Sequence, residues 1–300
     1  MSKAPIVVLL LGLAISAPAQ YVRVSLGGNA SENVTIQSRS DDRASICDEY
    51  INPRSVEIPE CTTPDRGVGD GWLAPFRSGQ GFTGEVEIGH EFARNFSLAV
   101  AYSNNATRFN QTVSSTDATG VDFDKISNEL ASGEETLGTV ESQELFLFGL
   151  LEWSKHDKWI LYGGAGIGVA RKSMDFSWVW ARSASATDIA TGTDQPNADE
   201  IRQNLAGTVS VGRRSIRDNQ LGYSLVVGVE RILTDAVSVG IKAQWKRFEE
   251  FESGAYSGDL LRSHVPNLRL DGSEPVSSWS STKNTGSGVL VFTTRYRFAK

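Results

Sequence analysis

The chain has 300 residues, of which 40% are hydrophobic and 22% charged, and its formal net charge is −7. An acidic chain offers no basic stripe to displace the counterions of phosphate, which argues against nucleic acid as a partner. After the first segment, Gly, Ser or a charge interrupts every apolar run within about six residues. No later transmembrane helix, which needs ~20 apolar residues, is therefore expected.

The first segment has the three parts of a secretory signal peptide. Lys3 gives a basic start, the apolar stretch Ile6–Ile15 follows, and the small-x-small triplet Ala17–Ala19 precedes Gln20. The apolar stretch is too short to span a bilayer as a helix, so an uncleaved anchor is the weaker alternative. We predict a signal peptide over residues 1–19 and a mature domain over residues 20–300. Cleavage would remove one Lys and no acid, leaving a net charge of −8.

Two cysteines, Cys47 and Cys61, lie in one polar stretch of the mature chain. The oxidising compartment of an exported protein favours a disulfide over free thiols. Closing a loop of about fifteen residues restricts the unfolded chain by ~3 kcal/mol. The pair has no nearby His to complete a zinc site, and the acidic residues around it lack the spacing of a calcium loop. We predict a Cys47–Cys61 disulfide, no metal site and no cofactor.

Eight segments with alternating apolar and polar side chains follow the leader. Because successive side chains of a strand point to opposite faces, each segment has one apolar face and one polar or small face. A tilted strand crosses the hydrocarbon in about 9–11 residues, and aromatic residues at the segment ends suit membrane interfaces. These features favour a membrane barrel over a soluble sandwich. The segments are Tyr21–Leu26, Phe82–Phe92, Phe96–Ser103, Glu144–Trp153, Trp159–Val169, Leu221–Glu230, Val237–Lys246 and Leu290–Phe298.

The connections between these segments have two very different lengths. Short turns at Ala93–Asn95, Ser154–Lys158 and Thr234–Ala236 alternate with four long polar connections. Short turns at one end and long loops at the other are typical of outer-membrane barrels, whose turns face the periplasm. The long connections are Asn29–Gln80, Ala106–Val140, Arg171–Gln220 and Glu249–Ser287.

Further alternation in two of the long connections bears on the strand count. Phe176–Trp180 and Leu205–Val211 alternate, which predicts that two strands continue above the membrane as a hairpin. We therefore predict an all-β fold, an eight-stranded antiparallel up-and-down transmembrane β-barrel with long extracellular loops. A ten-stranded barrel is the alternative.

Four stretches of the chain, which cover five of these segments, resemble a known family. Phe82–Phe92, Trp159–Val169, Leu221–Trp245 and the terminal Arg295–Phe298 are similar to the opacity-type and OmpA-like small-barrel, or porin-like, family. The resemblance covers the strands, somewhat under half of the chain. It implies a Gram-negative outer-membrane location and insertion by the outer-membrane insertion machinery. Family members usually end on an aromatic residue, whereas here two residues follow Phe298.

Charged residues occupy the inward face of the predicted barrel. Eight strands enclose an interior that side chains just fill, and an unpaired buried charge costs several kcal/mol. We therefore predict a plug of ion pairs, with an ion path as the alternative. The predicted network contains Glu85, Glu87, Glu144, Glu230, Arg23, Lys242, Lys246, Arg295 and Arg297, and Glu91 and Glu152 share the inward parity.

The sequence thus predicts a non-enzymatic, monomeric protein of the bacterial outer membrane, exported through the secretory pathway. Its expected role is structural or in surface interaction, such as envelope integrity or adhesion through the loops to an extracellular ligand. Outer-membrane lipid and lipopolysaccharide are the expected partners, because Arg213, Arg214 and Arg217 lie near the outer rim and arginine suits phosphate. A narrow porin-like channel is one alternative. A lipid-modifying enzyme is another, with His264 beside Ser263 as its candidate base.

Overall fold

A computed structural model gives the structure of this chain. It describes residues 21–40, 44–47, 49–62, 72–93, 95–117, 128–156, 158–253, 261–262, 278–283 and 285–298. The predicted signal peptide and His264 lie outside these residues. None of the helices in the described ranges is long and apolar enough to cross a membrane.

Antiparallel strands dominate the described chain. In chain order they are β1 (Tyr21–Ser31), β2 (Val34–Ser40), β3 (Trp72–Phe76), β4 (Gln80–Ala93), β5 (Phe96–Ser114), β6 (Thr116–Asp117), β7 (Leu130–His156), β8 (Trp159–Arg182), β9 (Val209–Ile232), β10 (Val237–Phe248), β11 (Leu261–Arg262), β12 (Ser278–Lys283) and β13 (Ser287–Arg297). The helical turns are α1 (Ala44–Cys47), α2 (Ala198–Leu205) and 3-10 turns at Ser55–Glu57, Pro59–Thr62 and Ala186–Asp188.

Eight of the strands close into a ring. Their order is β10-β13-β1-β4-β5-β7-β8-β9, and pairing of β9 with β10 completes the circle. The amino-terminal and carboxy-terminal strands are neighbours, with Tyr21 opposite Arg297. The prediction of eight strands is therefore confirmed over the ten-stranded alternative.

The outward row of each ring strand is apolar, as the alternation predicts. Phe82, Ile167 and Phe292 have 78%, 69% and 73% of their surface exposed, so these side chains do not form a water-excluding core. A continuous apolar belt around a closed ring is the lipid-facing surface of a membrane barrel. Exposed aromatic side chains gather toward the short-turn end, at Phe92, Phe96, Trp153, Trp159, Tyr296 and Phe298.

The long-loop side of the ring is taller than the sequence indicates. β5 and β7 remain paired as far as Ser114 opposite Glu134, so the second connection is 115–129 and not Ala106–Val140. The hairpin predicted above the membrane in the third connection is confirmed, although β9 begins at Val209 and Leu205 ends a helix. Strands β5, β7, β8 and β9 therefore form a wall that rises above β1, β10 and β13.

A second sheet covers the inner face of this wall. We call it the cap, and it consists of β12, β2, β3 and β6 in that order. Its strands come from three different long connections. Val34 and Ile36 of β2 and Ala74 and Phe76 of β3 are buried against inward side chains of the wall, and apolar burial of this kind holds two layers together. The wall contributes Phe109, Leu137, Met174, Phe176 and Ile216.

The first and third connections also form a small body above the barrel. Cys47 and Cys61 are joined in a disulfide with their Cα atoms 5.2 Å apart, as predicted. Ile51, inside the disulfide loop, is buried against Ile201 and Leu205 of α2. Asn204 donates a hydrogen bond of 2.9 Å to the Ile51 carbonyl, so the stapled loop is docked on the third connection.

Candidate functional site

The barrel interior brings together the charged residues named from the sequence. Lys242 of β10 contacts the carboxylate of Glu85 and lies 3.2 Å from Glu87 Oε2. Arg23 of β1 continues the chain, because its guanidinium contacts Glu87 and its Nε lies 2.8 Å from Glu230 Oε1. All five side chains are almost completely buried. Each base therefore joins carboxylates on other strands across or around the lumen.

The chain of ion pairs runs on to the short-turn end. Arg295 Nε lies 3.2 Å from Glu230 Oε2, and Arg295 Nη1 donates a hydrogen bond of 2.5 Å to Glu152. Arg297 Nη2 lies 3.3 Å from both Glu152 and Glu91. Arg297 is about one-third exposed, so this end of the network meets solvent. A continuous chain of ion pairs therefore runs from the middle of the lumen to its opening at the short-turn end.

A separate pair closes the upper part of the lumen. Lys246 Nζ lies 2.7 Å from Glu144 Oε2, and both side chains are buried. Ser103 and Ser142 donate hydrogen bonds of 3.1 and 2.8 Å to the two oxygens of Glu144. All nine residues of the predicted network therefore face the interior, eight fully buried and Arg297 at the mouth.

Aromatic side chains share the lumen with these charges, and the sequence pattern does not reveal them. The Arg23 guanidinium lies over the Tyr162 ring, 4.4 Å from its centroid, a cation–π contact. Phe146 and Phe148 of β7 point inward and stack at 5.6 Å. The glycine row of β8 makes room for them, because a Cβ at Gly166 would lie 2.5 Å from Phe148 Cδ1. Between Glu144 and Glu152 β7 is apolar on both faces, so within this stretch no alternation separates inside from outside.

Two buried carboxylates stand above the lipid-facing belt. Burial raises the pKa of Glu135 to about 7, although the hydrogen bond that Trp72 Nε1 donates to it acts in the opposite direction. Burial also acts on Glu129, but hydrogen bonds from Thr191 and Arg182 outweigh it and lower the pKa of that carboxyl. Glu135 thus joins β7 to the cap. Glu129, which directly precedes the first residue of β7, joins this strand to the third connection.

The other polar candidates do not form a catalytic cluster in the described residues. His90 lies on the outward face beside Phe92, with ring centroids 4.7 Å apart. The rim arginines are divided, because Arg213 and Arg217 are exposed on the outer face of β9 whereas Arg214 is half-buried on its inner face. All three lie near the outer rim, but Arg214 does not share the outward face of Arg213 and Arg217, since alternate residues of a strand face opposite sides. No group of three metal-ligating side chains occurs in the described parts of the chain.

A closed antiparallel ring with an apolar outer belt and an ion-paired interior defines a small transmembrane β-barrel. No protein-family model matches this chain, and no curated protein matches it.

The chain is similar in structure to several solved outer-membrane proteins. Neisserial surface protein A is 10% identical, with 92% of this chain and 97% of that chain covered and a TM-score of 0.35. Ail, the attachment invasion locus protein of Yersinia pestis, is 10% identical, with 94% of this chain and 100% of that chain covered and a TM-score of 0.30. The outer membrane protease OmpT from Escherichia coli is 11% identical, with 93% of this chain and 97% of that chain covered and a TM-score of 0.41. Scores this low carry no argument about function, and the barrel assignment rests on the strand pairing of this chain.

Proposed function

We propose that this protein is a non-enzymatic, monomeric barrel of the bacterial outer membrane that anchors an ordered surface body and has a structural or surface-interaction role. One observation carries the proposal: packed side chains occupy the interior at two levels. Buried ion pairs from Glu85 to Glu230 fill the barrel, and the cap packs across the taller wall above them. A pathway for ions or solutes would have to break both layers.

The proposed orientation follows from the ends of the strands. Both Tyr21 and Arg297 lie at the end where β4 and β5 are joined by a two-residue turn. In outer-membrane barrels the short turns face the periplasm and the long loops face outward. The cap and the disulfide-bonded body would then be displayed on the cell surface, where an extracellular ligand would meet them.

Lipopolysaccharide is the proposed lipid partner. Arg171, Arg213 and Arg217 are exposed on the outer face of β8 and β9, above Val169 and Leu221, where the continuous outward apolar row of each strand ends. Arg171 stands opposite Asn219, so it is the diagonal neighbour of Arg217. Guanidinium groups at this level suit the phosphates of an outer leaflet.

Bilayer conductance of the refolded full-length protein tests the proposed role. We expect no discrete conductance steps, with a wide porin as the positive control and a heat-denatured sample as the negative control. Reproducible steps from the folded protein, absent from the denatured sample, would replace the structural role with a narrow channel.

Cysteine labelling on intact cells tests the orientation. Asp199 in α2 and Lys158 in a short turn are both exposed and lie at opposite ends of the barrel. An impermeant maleimide should label an Asp199→Cys protein in intact cells and a Lys158→Cys protein only after the outer membrane is opened. The reverse pattern would invert the proposed topology.

A further inference from the structure

A cavity of about 70 Å³ lies between the upper ion pair and the cap. Glu144 and Phe248 form part of its floor, Lys172 and Met174 of β8 part of its wall, and Val34 of the cap part of its roof. It lies above the ion-pair chain from Lys242 to Arg297 and is lined by none of those residues. Glu144 is the one ion-paired residue among the described residues of its lining, and the surface role proposed above makes no use of the space itself.

The cavity wall carries an ammonium group that no carboxylate of the described residues contacts directly. Lys172 makes neither an ion pair nor a hydrogen bond with any described residue, and its Nζ lies 3.9 Å from the centroid of the Phe248 ring. Glu144, the acid that also lines the cavity, is already bound by Lys246. The positive charge therefore has one direct contact, the face of the Phe248 ring, while the carboxylates of Glu144 and Asp218 attract it from beyond ion-pair distance.

A second donor in the same cavity also lacks an acceptor. Asn105 is 6% exposed, and its Nδ2 has no hydrogen-bond partner among the described residues. A relay of hydrogen bonds fixes this orientation: Thr107 donates to Asn29 Oδ1, Asn29 Nδ2 donates to Thr83, and Thr83 donates to Asn105 Oδ1. Because Asn105 Oδ1 accepts the last hydrogen of the relay, Nδ2 is left to donate elsewhere. A buried donor without an acceptor is destabilising, so this site favours an added acceptor.

The remaining lining limits what that acceptor is. Side chains of Phe109, Val140, Met174, Phe248 and Phe251 line the cavity, so part of its wall is apolar. A doubly charged, strongly hydrated anion such as phosphate would lose its hydration there and would also meet the carboxylate of Glu144. The volume is roughly that of two waters in the liquid and about half that of a cavity that holds benzene. The charge, lining and volume of the cavity therefore favour a small ligand with a single negative charge and a short apolar end.

We propose that this cavity is a binding site for a short-chain monocarboxylate, of the size of acetate or propionate. The carboxylate accepts hydrogen bonds from Lys172 Nζ and Asn105 Nδ2, and the alkyl end lies against the apolar side of the cavity. The roof is supplied by the cap, so the site requires the barrel and the long connections in one folded chain.

Saturation-transfer NMR with propionate tests the site on the refolded, disulfide-bonded full chain in micelles. We expect transfer to the propionate methyl protons, and a titration gives the dissociation constant. Lys172→Met should raise that constant about tenfold or more, as loss of a charge-assisted hydrogen bond does. Lys158→Met, which removes an exposed lysine in a short turn, should leave it unchanged. Propionamide, equal in size but uncharged, should bind about tenfold more weakly than propionate.

A second variant keeps the proposal testable if Lys172→Met does not fold. Asn105→Asp keeps the side-chain shape but replaces the free donor with a carboxylate oxygen, so propionate binding should again be lost. Absence of transfer from the wild-type protein at millimolar propionate would overturn the proposal and leave a cavity that holds only water. Transfer that persists equally in Lys172→Met and Asn105→Asp would overturn it as well, because binding would then lie in the micelle or on the outer surface.

Discussion

Lys246 of β10 and Glu144 of β7 form an isolated ion pair across the barrel, with 2.7 Å between Nζ and Oε2. The two strands are not neighbours in the ring, so the pair spans the lumen. Lys246 reaches no other carboxylate among the described residues, whereas Arg23, Lys242 and Arg295 each contact two. The pair therefore offers the simplest measurement of what a lumen ion pair contributes.

We predict strong coupling between Lys246 and Glu144. Lys246→Met should lower the free energy of unfolding by about 3–5 kcal/mol, because it removes the base that is in ion-pair contact with the buried carboxylate of Glu144. Adding Glu144→Gln should recover about 1–3 kcal/mol of that loss, since no charge is then left alone. Urea titration of the wild-type protein, the two single variants and the double variant gives the four free energies of unfolding of this double-mutant cycle. Additive losses would show that the two groups do not interact, and small losses throughout would show a hydrated lumen in which solvent screens each charge.

Lys242 should behave differently, because it contacts two carboxylates, those of Glu85 and Glu87. Lys242→Ala should destabilise the barrel by about 3–5 kcal/mol. Glu87→Ala in the same chain should restore only part of this, since Glu85 keeps its charge and retains one hydrogen bond of 2.9 Å from Gln244. Full recovery in the same urea titration would mean that Glu85 does not depend on Lys242.

The faces of the ring strands could be predicted from the sequence because each outward row meets lipid. In β4, for example, Val86 is exposed between the buried Glu85 and Glu87, so one period of two residues describes the whole strand. The partners within the lumen could not be predicted in the same way. Lys246 contacts Glu144 because the strands are tilted and staggered around the ring, which brings residues of unpaired strands together. The alternation along one strand gives neither the tilt nor the stagger, so it could not predict this contact.

The cap could not be predicted for a different reason. Ser38 and Ser280 share a hydrogen bond of 2.9 Å across 242 residues of sequence. Strands β2 and β3 are short pieces of the first connection and β12 is a short piece of the fourth. The buried row of β12 consists of Ser280 and Thr282 and not of apolar residues. Hydrophobic periodicity reports a strand only where one of its faces is apolar. The cavity beneath the cap could not be predicted for the same reason.

The disulfide should stabilise the surface body without affecting the barrel. Changing both Cys47 and Cys61 to Ser frees a loop that the crosslink restricts by ~3 kcal/mol on the chain-entropy model. Hydrogen exchange should therefore become faster in 49–62 and in α2, against which Ile51 packs. The urea midpoint of the ring should stay the same, because the bridge lies outside it. In the wild-type protein, alkylation without reductant should label neither cysteine, and full labelling in freshly isolated membranes would contradict the bridge.

Glu135 should make the stability of the capped barrel depend on pH. It lies above the lipid-facing belt, is 1% exposed, and accepts a hydrogen bond from the indole Nε1 of Trp72. Burial raises its pKa from 4.5 to about 7, so the folded protein favours the neutral carboxyl. Below the unfolded pKa both states are protonated and no penalty exists. As the pH rises from 4.5 to about 7 stability falls, and above that range the loss is constant at about 3 kcal/mol.

The variant Glu135→Gln removes this titration while keeping the shape of the side chain. Its free energy of unfolding should lack the decline between pH 4.5 and about 7, and at pH 8 it should exceed that of the wild-type protein. Glu134→Gln is the matched control, because Glu134 is the next residue of β7 and is exposed on the opposite face. Urea titrations at a series of pH values, with hydrogen exchange of Trp72 and Leu73 as a local readout of the cap, give both comparisons. If Glu134→Gln and Glu135→Gln follow the same pH profile, the titrating group is not the carboxylate beneath the cap.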